Sequence, residues 1–249
     1  MTTHPLKTLG LIGGMSWEST VPYYRQINET VKARLGGLHS ARIILYSVDF
    51  ADIEQLQASG QWQAAGALLA DVAQKLEGAG ADALVLCTNT MHKVAEAISK
   101  AVRIPLLHIA DPTALALRQA GYTTVGLLGT RFTMEQDFYR SRLEQDHGLT
   151  VLTPPQADRD QVHQIIYQEL CLGQVHDASR QTYQRVIADL GARGAQGIIL
   201  GCTEIGLLIQ AQDCQLPLFD TTALHARSAA HWAMSAPCAA VSKPSKAHS

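Results

Sequence analysis

Short apolar runs alternate with longer amphipathic stretches along most of the chain. The runs are rich in Val, Ile and Leu, and they predict strands at residues 8–12, 42–48, 83–86, 106–109, 124–128, 197–200 and 216–219. The stretches between them predict helices at residues 19–34, 61–78, 91–101, 133–145, 160–171, 177–193 and 221–234. Strands that are apolar throughout and alternate with helices are typical of parallel sheets covered on both faces, so we expect an α/β fold.

The second half of the chain repeats features of the first half. Each half opens on a glycine-ended apolar strand, and a second matching segment follows at a fixed distance. The distance is 74 residues in the first half, from Gly14 to Thr88, and 73 residues in the second half, from Gly129 to Cys202. Two matches that keep this spacing indicate an internal duplication, which predicts two similar Rossmann-like domains.

The predicted elements also suggest where the domains divide. We expect the first domain to comprise residues 1–112 and 213–235, and the second to comprise residues 113–212. Residues 236–249 are rich in Ala, Ser, Pro and Lys without periodicity, so we expect a disordered tail there. Ligands of open α/β sheets bind outside the carboxyl ends of the strands. Two such domains facing each other therefore predict an active site in the cleft between them.

Composition and charge narrow the class of function. The chain has 249 residues and a net charge of −2, which argues against a nucleic-acid partner. No apolar run is long enough for a membrane helix and no signal peptide is visible, so we expect no membrane partner. The five cysteines are odd in number and form no CxxC pair, which indicates a reducing, cytoplasmic location.

The residues that follow the matching strands could carry chemistry. Thr88 and Cys202 stand at equivalent strand ends, so they would approach a bound ligand from opposite sides. Small polar residues come next in both halves, at the start of a helix whose unpaired N–H groups favour anions. A thiol in such a position has its thiolate favoured, so we expect the pKa of Cys202 to fall below about 8.5.

The same segments resemble a known family. Residues 86–92 (LCTNTMH) and 201–204 (GCTE) resemble the two signatures of the aspartate/glutamate racemase superfamily. Residues 11–20 (LIGGMSWEST) and 129–134 (GTRFTM) are similar to two loops of its aspartate racemase branch. The resemblance implies a homodimeric amino-acid racemase that uses no cofactor and acts on aspartate or glutamate. It also implies two cysteines, one on each side of the substrate α-carbon.

The chain departs from that pattern at the first cysteine. Thr88 occupies the position, and the internal repeat independently places Thr88 opposite Cys202. Cys87 lies one residue earlier, where alternation along a strand turns it to the other face, so we interpret it as a packing residue. We expect Cys202 to remove the α-proton and Thr88 to relay a proton on the opposite face. Since the second-half cysteine of the family generally serves the L-enantiomer, the resemblance implies a preference for L-substrates.

Substrate binding is less fully specified by the sequence. The family often places an Arg after the second strand and a Lys near Tyr167, but residues 47–57 contain no Arg and Cys171 stands four residues after Tyr167. These departures allow a broader substrate range. Gln57 is either a neutral substitute or part of a solvated helix face, and Arg131 is a further candidate. We expect the substrate to be bound by Met15, Gln57, Asn89, Thr90, Thr130, Thr133, Thr203 and Glu204.

Within this set we assign two roles. Asn89, Thr90 and Thr203, with nearby backbone N–H groups, are expected to donate hydrogen bonds to the substrate carboxylate and so stabilise the carbanion. Glu204 is expected to orient the thiol or the substrate amine.

Several other polar residues have two interpretations each. His92 could relay protons or could simply pack, and His108 with Asp111 could reach the cleft or form a linker turn. Asp220 and Thr221 could reach the cleft edge. The cysteines and histidines show no zinc spacing and no dinucleotide motif is present, so we expect no metal and no nucleotide cofactor.

Two other classes of function remain open at this point. A member of the same superfamily with one active cysteine, such as a malonate-type decarboxylase or a maleate isomerase, would also fit one thiol. A non-catalytic amino-acid-binding protein would fit the loss of the first cysteine. The interpretation as a racemase is favoured by the motif at residues 11–20 and by the Asn-Thr pair after Thr88.

Overall fold

The computed structural model describes residues 6–235, which form two separate parallel sheets of four strands each. The predicted α/β fold with two Rossmann-like domains is therefore confirmed. The expected tail at residues 236–249 lies outside the described residues. The strands are β1 (Thr8–Gly13), β2 (Arg42–Ser47), β3 (Ala83–Leu86), β4 (Leu106–Leu107), β5 (Thr124–Gly129), β6 (Thr150–Leu152), β7 (Ile198–Gly201) and β8 (Leu218–Asp220).

Helices cover both faces of each sheet. Most coincide with the predicted helices, whereas α2, α5 and α10 are additional and the segment predicted at 133–145 is broken into two short helices and a π-helical turn. The helices are α1 (Trp17–Leu35), α2 (Phe50–Ala58), α3 (Trp62–Gly78), α4 (Ala95–Ala101), α5 (Ala110–Gln119), α6 (Arg131–Glu135), α7 (Asp137–Ser141), α8 (Gln156–Gln168), α9 (Asp177–Ala192), α10 (Ile205–Leu208) and α11 (Thr221–Met234).

The two sheets repeat one topology. Their strand orders are β2-β1-β3-β4 and β6-β5-β7-β8, with every neighbouring pair parallel. The match extends to single hydrogen bonds: the Leu84 N–H donates to the carbonyl of Pro105 at 2.8 Å, and the Ile198 N–H donates to that of Pro217 at 2.8 Å. A proline thus precedes the last strand of each sheet, where its missing N–H costs no ladder bond.

The division of the chain differs from the expected one in two places. The boundary expected between residues 112 and 113 falls inside α5, whose apolar face packs against Val125 and Ile199 of the second sheet. Strand β8 was expected in the first domain, but it pairs with β7 because that strand offers the open edge that β3 offers to β4. Of the elements after β8 that the structure describes, α11 returns to the first domain, where its alanine-rich face packs with α1 residues such as Tyr23.

The core lies on both sides of each sheet. The buried strands β1, β3, β5 and β7 are central, and their side chains meet helices above and below, as apolar strands require. This packing holds the carboxyl ends of the central strands at fixed positions, and those ends face the cleft between the domains. No helix within residues 6–235 has the length and apolarity needed to cross a membrane.

Candidate active site

A cavity lies between the two domains at the carboxyl ends of the central strands. Its volume, including the part that is open to solvent, is about 320 Å³. Loops after strands of both sheets supply most of the polar lining, and helices α2 and α8 supply the aromatic part. The lining residues are Met15, Phe50, Gln57, Thr88, Asn89, Thr90, Thr130, Ile166, Tyr167, Cys171, Cys202, Thr203 and Glu204.

The structure brings together nearly all of the residues that the sequence singled out. Thr88 and Cys202 both line the cavity, as do the expected binding residues other than Thr133. Thr133 is fully buried behind Thr130: its N–H donates to the Thr130 hydroxyl at 3.3 Å and the two hydroxyls are 3.2 Å apart. Thr130 is therefore the N-cap of helix α6, and Thr133 supports it from behind instead of lining the cavity.

Side-chain hydrogen bonds join the domains across the cavity. The hydroxyls of Thr90 and Thr130 lie 2.9 Å apart, and Tyr167 donates from its hydroxyl to the Gln57 side-chain oxygen at 2.8 Å. The amide nitrogen of Gln57 points to the sulfur of Met91 at 3.0 Å. Gln57 is only 4% exposed, so its interpretation as part of a solvated helix face is wrong. Its contacts make it a cross-cleft link.

The carboxylate of Glu204 is the centre of the second-half side of the site. Cys202 donates from Sγ to Oε2 at 3.0 Å, and the Thr203 hydroxyl donates to the same oxygen at 2.6 Å. Ser16, from the other domain, donates to Oε1 from its hydroxyl at 2.8 Å and from its N–H at 3.4 Å. Cys171 approaches Oε1 at 3.8 Å. Such a set of donors suits an ionised carboxylate.

The pKa of Cys202 moves in the direction opposite to the expected one. Burial and the neighbouring Glu204 carboxylate raise the pKa of the thiol well above its usual value. Helix α10 begins three residues later and has only four residues, so its dipole does not offset these two effects. The expectation of a pKa below about 8.5 is therefore wrong, and Cys202 rests as a thiol whose thiolate would be a strong base.

The side of the site that the first half of the chain forms, around Thr88, is electrically neutral. Thr88 is 7% exposed, and within residues 6–235 no protein group is hydrogen-bonded to its hydroxyl. Its backbone carbonyl accepts from His92 Nδ1 at 2.7 Å, which fixes the loop. Cys87 is fully buried on the opposite face of β3, packed with the first-domain core, as predicted. The Thr88 hydroxyl is thus the group that this strand end presents to the cavity.

His92 does not line the cavity. Its Nε2 accepts from the N–H of Ile109 at 3.2 Å, so Nδ1 carries the proton and donates to Thr88. Burial, together with His108 and His225 nearby, lowers the pKa of His92 well below its usual value. The neutral ring therefore holds the Thr88 loop, and a relay through its side chain to the cavity is not supported by this geometry.

The remaining charged candidates are bound elsewhere. Arg131 pairs with Asp160 at 2.8 Å on the surface, and Asp111 makes two hydrogen bonds to Arg142, at 2.6 and 2.9 Å. Asp220 accepts from two backbone N–H groups at the start of α11. No Lys, Arg or His is among the lining residues, so Glu204 is the one ionisable carboxyl or cationic side chain at the cavity wall.

The aromatic wall of the cavity has no direct signal in the sequence. Phe50 and Tyr167 stack with their ring centroids 6.4 Å apart, and Ile166 and Cys171 complete this side of the cavity. These residues belong to helices or helix ends and not to the strand ends where motifs were sought. The family resemblance points only to Tyr167 and Cys171, as positions near a family lysine.

Comparison with known proteins agrees with the geometry. The profile of the Asp/Glu/hydantoin racemase family matches residues 12–229. The crystal structure of a Yersinia pestis protein, whose assignment as an Asp/Glu racemase is provisional, has a TM-score of 0.86 at 62% identity, over 92% of this chain and 100% of that one. An aspartate racemase homologue from Pyrococcus horikoshii OT3 has a TM-score of 0.79 at 31% identity, over 92% of this chain and 100% of its own. The broad specificity amino-acid racemase RacX of Bacillus subtilis (strain 168) is 23% identical over 88% of this chain and 95% of its own.

Proposed function

Since the chain belongs to the Asp/Glu/hydantoin racemase family and is an isomerase, we propose that it racemises aspartate or glutamate without a cofactor. In this proposal Cys202 is the base and Thr88 relays a proton on the opposite face of the α-carbon. The observation that carries the proposal is the placement of these two residues. They stand at equivalent strand ends of two facing sheets and line one cavity, with a carboxylate 3.0 Å from the thiol.

The first step is removal of the α-proton. Glu204 Oε2 takes the proton of the Cys202 thiol, and the resulting thiolate takes the α-proton of the substrate. Because burial and Glu204 raise the pKa of Cys202, its thiolate is scarce but strongly basic, which suits a weakly acidic C–H bond. Burial also keeps water from competing for the thiolate.

The second step delivers a proton to the other face. The Thr88 hydroxyl gives its proton to the α-carbon, and the oxyanion left behind is reprotonated from solvent. Cys202 keeps the α-proton as its resting thiol, and Glu204 releases to solvent the proton that it took in the first step. One proton leaves one face and one arrives at the other, so the sum is inversion at the α-carbon. A hydroxyl donates readily to a carbanion but is a poor base for starting the reverse reaction.

Donors at the strand ends would hold the developing enediolate charge. The Thr203 hydroxyl already donates to Glu204, so it has no second proton to offer the substrate. Thr90 and Thr130 share one hydrogen bond, and when Thr133 donates its hydroxyl proton to Thr130, one of the Thr90 and Thr130 hydroxyl protons is available to a carboxylate. This role therefore belongs to the Thr90–Thr130 pair and to backbone N–H groups.

The difference in basicity between Cys202 and Thr88 should appear in the rates at which the two enantiomers exchange their α-proton with solvent. Both enantiomers have the same free energy, so kcat/KM for racemisation is equal in the two directions whatever the residues. Exchange of the α-proton with solvent carries no such constraint. We expect the L-enantiomer to exchange through Cys202 faster than it inverts, and the D-enantiomer to exchange slowly because Thr88 must act as the base.

Proton NMR in deuterated buffer tests the proposed activity. The enzyme, dialysed free of small molecules, is incubated with each enantiomer of aspartate and glutamate, and chiral chromatography follows inversion. Neutral amino acids join the panel because no Lys or Arg lines the cavity. Inversion that depends on Cys202 supports the proposal. No inversion of any amino acid contradicts it, and inversion that survives Cys202→Ala contradicts the assigned base.

Assembly and location are part of the same proposal. The homodimer and the cytoplasmic location follow from the resemblance and from the cysteine usage. Exposed apolar residues on α1, namely Trp17, Val21 and Tyr24, support a face that is covered in solution. Sedimentation equilibrium at micromolar concentration tests the dimer, and a monomer mass across that range would contradict it.

A further inference from the structure

The side chain of Asn89 is held at one end only. Its Nδ2 donates to the Thr221 hydroxyl at 2.9 Å, whereas its Oδ1 is buried and has no hydrogen-bond partner within the described residues. Asn89 is 2% exposed and lines the cavity. A buried oxygen without a donor is uncommon, and in a ligand cavity it indicates that a donor on the ligand completes it.

The hydrogen bonds of Thr221 determine which end of the Asn89 side-chain amide faces Thr221 and which end faces away from it. The Thr221 hydroxyl has one proton, and it donates that proton to the backbone carbonyl of Leu200 at 2.8 Å. Towards Asn89 it can therefore only accept, so the amide must turn its NH₂ to Thr221. The alternative flip would place two acceptors face to face. The orientation of Asn89 thus follows from the hydrogen-bond network, which is the proper basis for assigning an amide.

We infer that Thr221 is a positioning residue, which fixes Asn89 so that Oδ1 accepts a hydrogen bond from the α-ammonium group of the substrate. The inference rests on the proposed function, since it takes the ligand to be an amino acid. It also revises the expected role of Asn89, whose Nδ2 was to donate to the substrate carboxylate and is instead bound to Thr221. An ammonium group requires acceptors, and Asn89 Oδ1 and the Glu204 carboxylate are acceptors at this cavity.

Two ligands that differ in the ammonium group alone provide the test. L-Aspartate carries the ammonium and succinate lacks it, and their dissociation constants are measured by calorimetry at pH 7.5. The protein variants share the Cys202→Ala change, which prevents turnover. Thr221→Val removes the hydroxyl at nearly constant shape, and Thr221→Ser restores it. Thr222→Val is the matched control, because Thr222 is equally buried on the same helix and its hydroxyl has no partner in the described residues.

We expect Thr221→Val to weaken aspartate binding about tenfold or more, the effect of losing a hydrogen bond to a charged group. Succinate binding should not change, and Thr221→Ser and Thr222→Val should keep the original preference for aspartate. Equal weakening of both ligands would overturn the inference, because it would show a merely structural role. Binding of succinate as tight as that of aspartate before any change at residue 221, or no binding of either ligand, would also overturn it.

A second readout does not depend on the ligand. In ¹⁵N-resolved NMR spectra the Asn89 side-chain NH₂ should show one proton protected from exchange, and Thr221→Val should remove that protection. Protection that survives in Thr221→Val contradicts the positioning role. Failure of the racemase proposal would appear separately, as absence of inversion in the amino-acid panel while the Asn89 protection and its dependence on Thr221 persist.

Discussion

The two strand ends that meet at the cavity have the same backbone setting and opposite chemistry. Behind β7, Cys202 is followed by Glu204, which gathers donors from both domains. After β3, Thr88 lies in a neutral environment, and the neutral ring of His92 holds its loop by a hydrogen bond to the Thr88 carbonyl. The duplicated fold supplies two equivalent positions, and in the proposed mechanism the side chains placed there make one a base and the other a proton donor.

This difference shows how a symmetric scaffold can hold an asymmetric reaction. Ser16 crosses from the first domain to Glu204 and Thr90 meets Thr130, so each domain contributes to the other's strand end. The charge of the site nevertheless lies on one side only. A substitution at one strand end can therefore alter one side of the site and leave the other intact.

Removal of the thiol has the largest expected effect. Cys202→Ala should lower α-proton exchange of the L-substrate by about 10³-fold, since it removes the thiol that the proposal assigns as the base at the end of β7. NMR exchange in deuterated buffer measures it, and Cys171→Ala is a matched control because Cys171 lies in the same cavity. Comparable loss in both variants would show that the thiol nearest Glu204 is not the specific base.

A thiol placed at the end of β3, to match the one at the end of β7, has the next largest expected effect. Thr88→Cys should raise α-proton exchange of the D-substrate by about 10²-fold, because a thiol is a far better base than a hydroxyl. L-exchange should change little. Thr88→Ser, which keeps a hydroxyl, is the control and should behave like the parent. A D-exchange rate that stays constant in Thr88→Cys would contradict the role given to Thr88.

Removal of the charge beside Cys202 should change the pH profile. Burial and the Glu204 carboxylate both raise the pKa of Cys202, so Glu204→Gln removes one of the two causes and should lower that pKa. The variant also loses the group that takes the thiol proton. We expect L-exchange about tenfold slower at pH 7, with recovery only beyond about pH 8.5, where an ordinary thiol ionises, because burial still raises the pKa of Cys202. A profile that keeps the parent shape would contradict the coupling.

The smallest predicted effect is that of acid on stability, which should act through the buried histidines on the Thr88 side of the molecule. Burial lowers the pKa of His225 to about 4 and that of His108 to about 3, so the folded state binds fewer protons than the unfolded chain between those values and about 6.5. The free energy of unfolding is then complete above about pH 6.5 and is lost as the pH falls toward 4 and 3.

Urea unfolding between pH 7 and pH 4 measures this dependence. His225→Gln should flatten it, because one of the groups that takes up a proton is gone. His231→Gln, an exposed change on the same helix, should leave the slope as it is. Identical slopes in all three proteins would show that the buried histidines do not cause the acid sensitivity.

Much of the fold follows from the periodicity of the sequence. Strand β3, which is apolar throughout, is predicted to the residue, and the other predicted strands differ from the observed ones by at most two residues at either end. Strand β6 was missed because it has only three residues and its edge position leaves Thr150 exposed. The domain boundary was misplaced because the same α-helical pattern serves a helix on either sheet, and only tertiary packing assigns α5 to the second.

The site divides in the same way. Its strand-end residues could be predicted because a parallel sheet gathers its carboxyl ends at one edge. Phe50 and Tyr167 could not, since they approach from helices whose rotation is set by packing. The direction of the Cys202 pKa was wrong because the sequence suggests a helix start but does not show how deeply the thiol is buried beside Glu204.

The ratio of the two exchange rates tests the central claim most directly. Initial rates of α-proton loss are measured by NMR for the L- and D-enantiomers of the amino acid that the enzyme inverts fastest, in the parent protein and in Thr88→Cys. Unequal strand ends predict L-exchange at least about tenfold faster than D-exchange in the parent, with the ratio moving toward one in the variant. Equal rates in the parent protein would contradict the claim, because they would make Thr88 as good a base as Cys202.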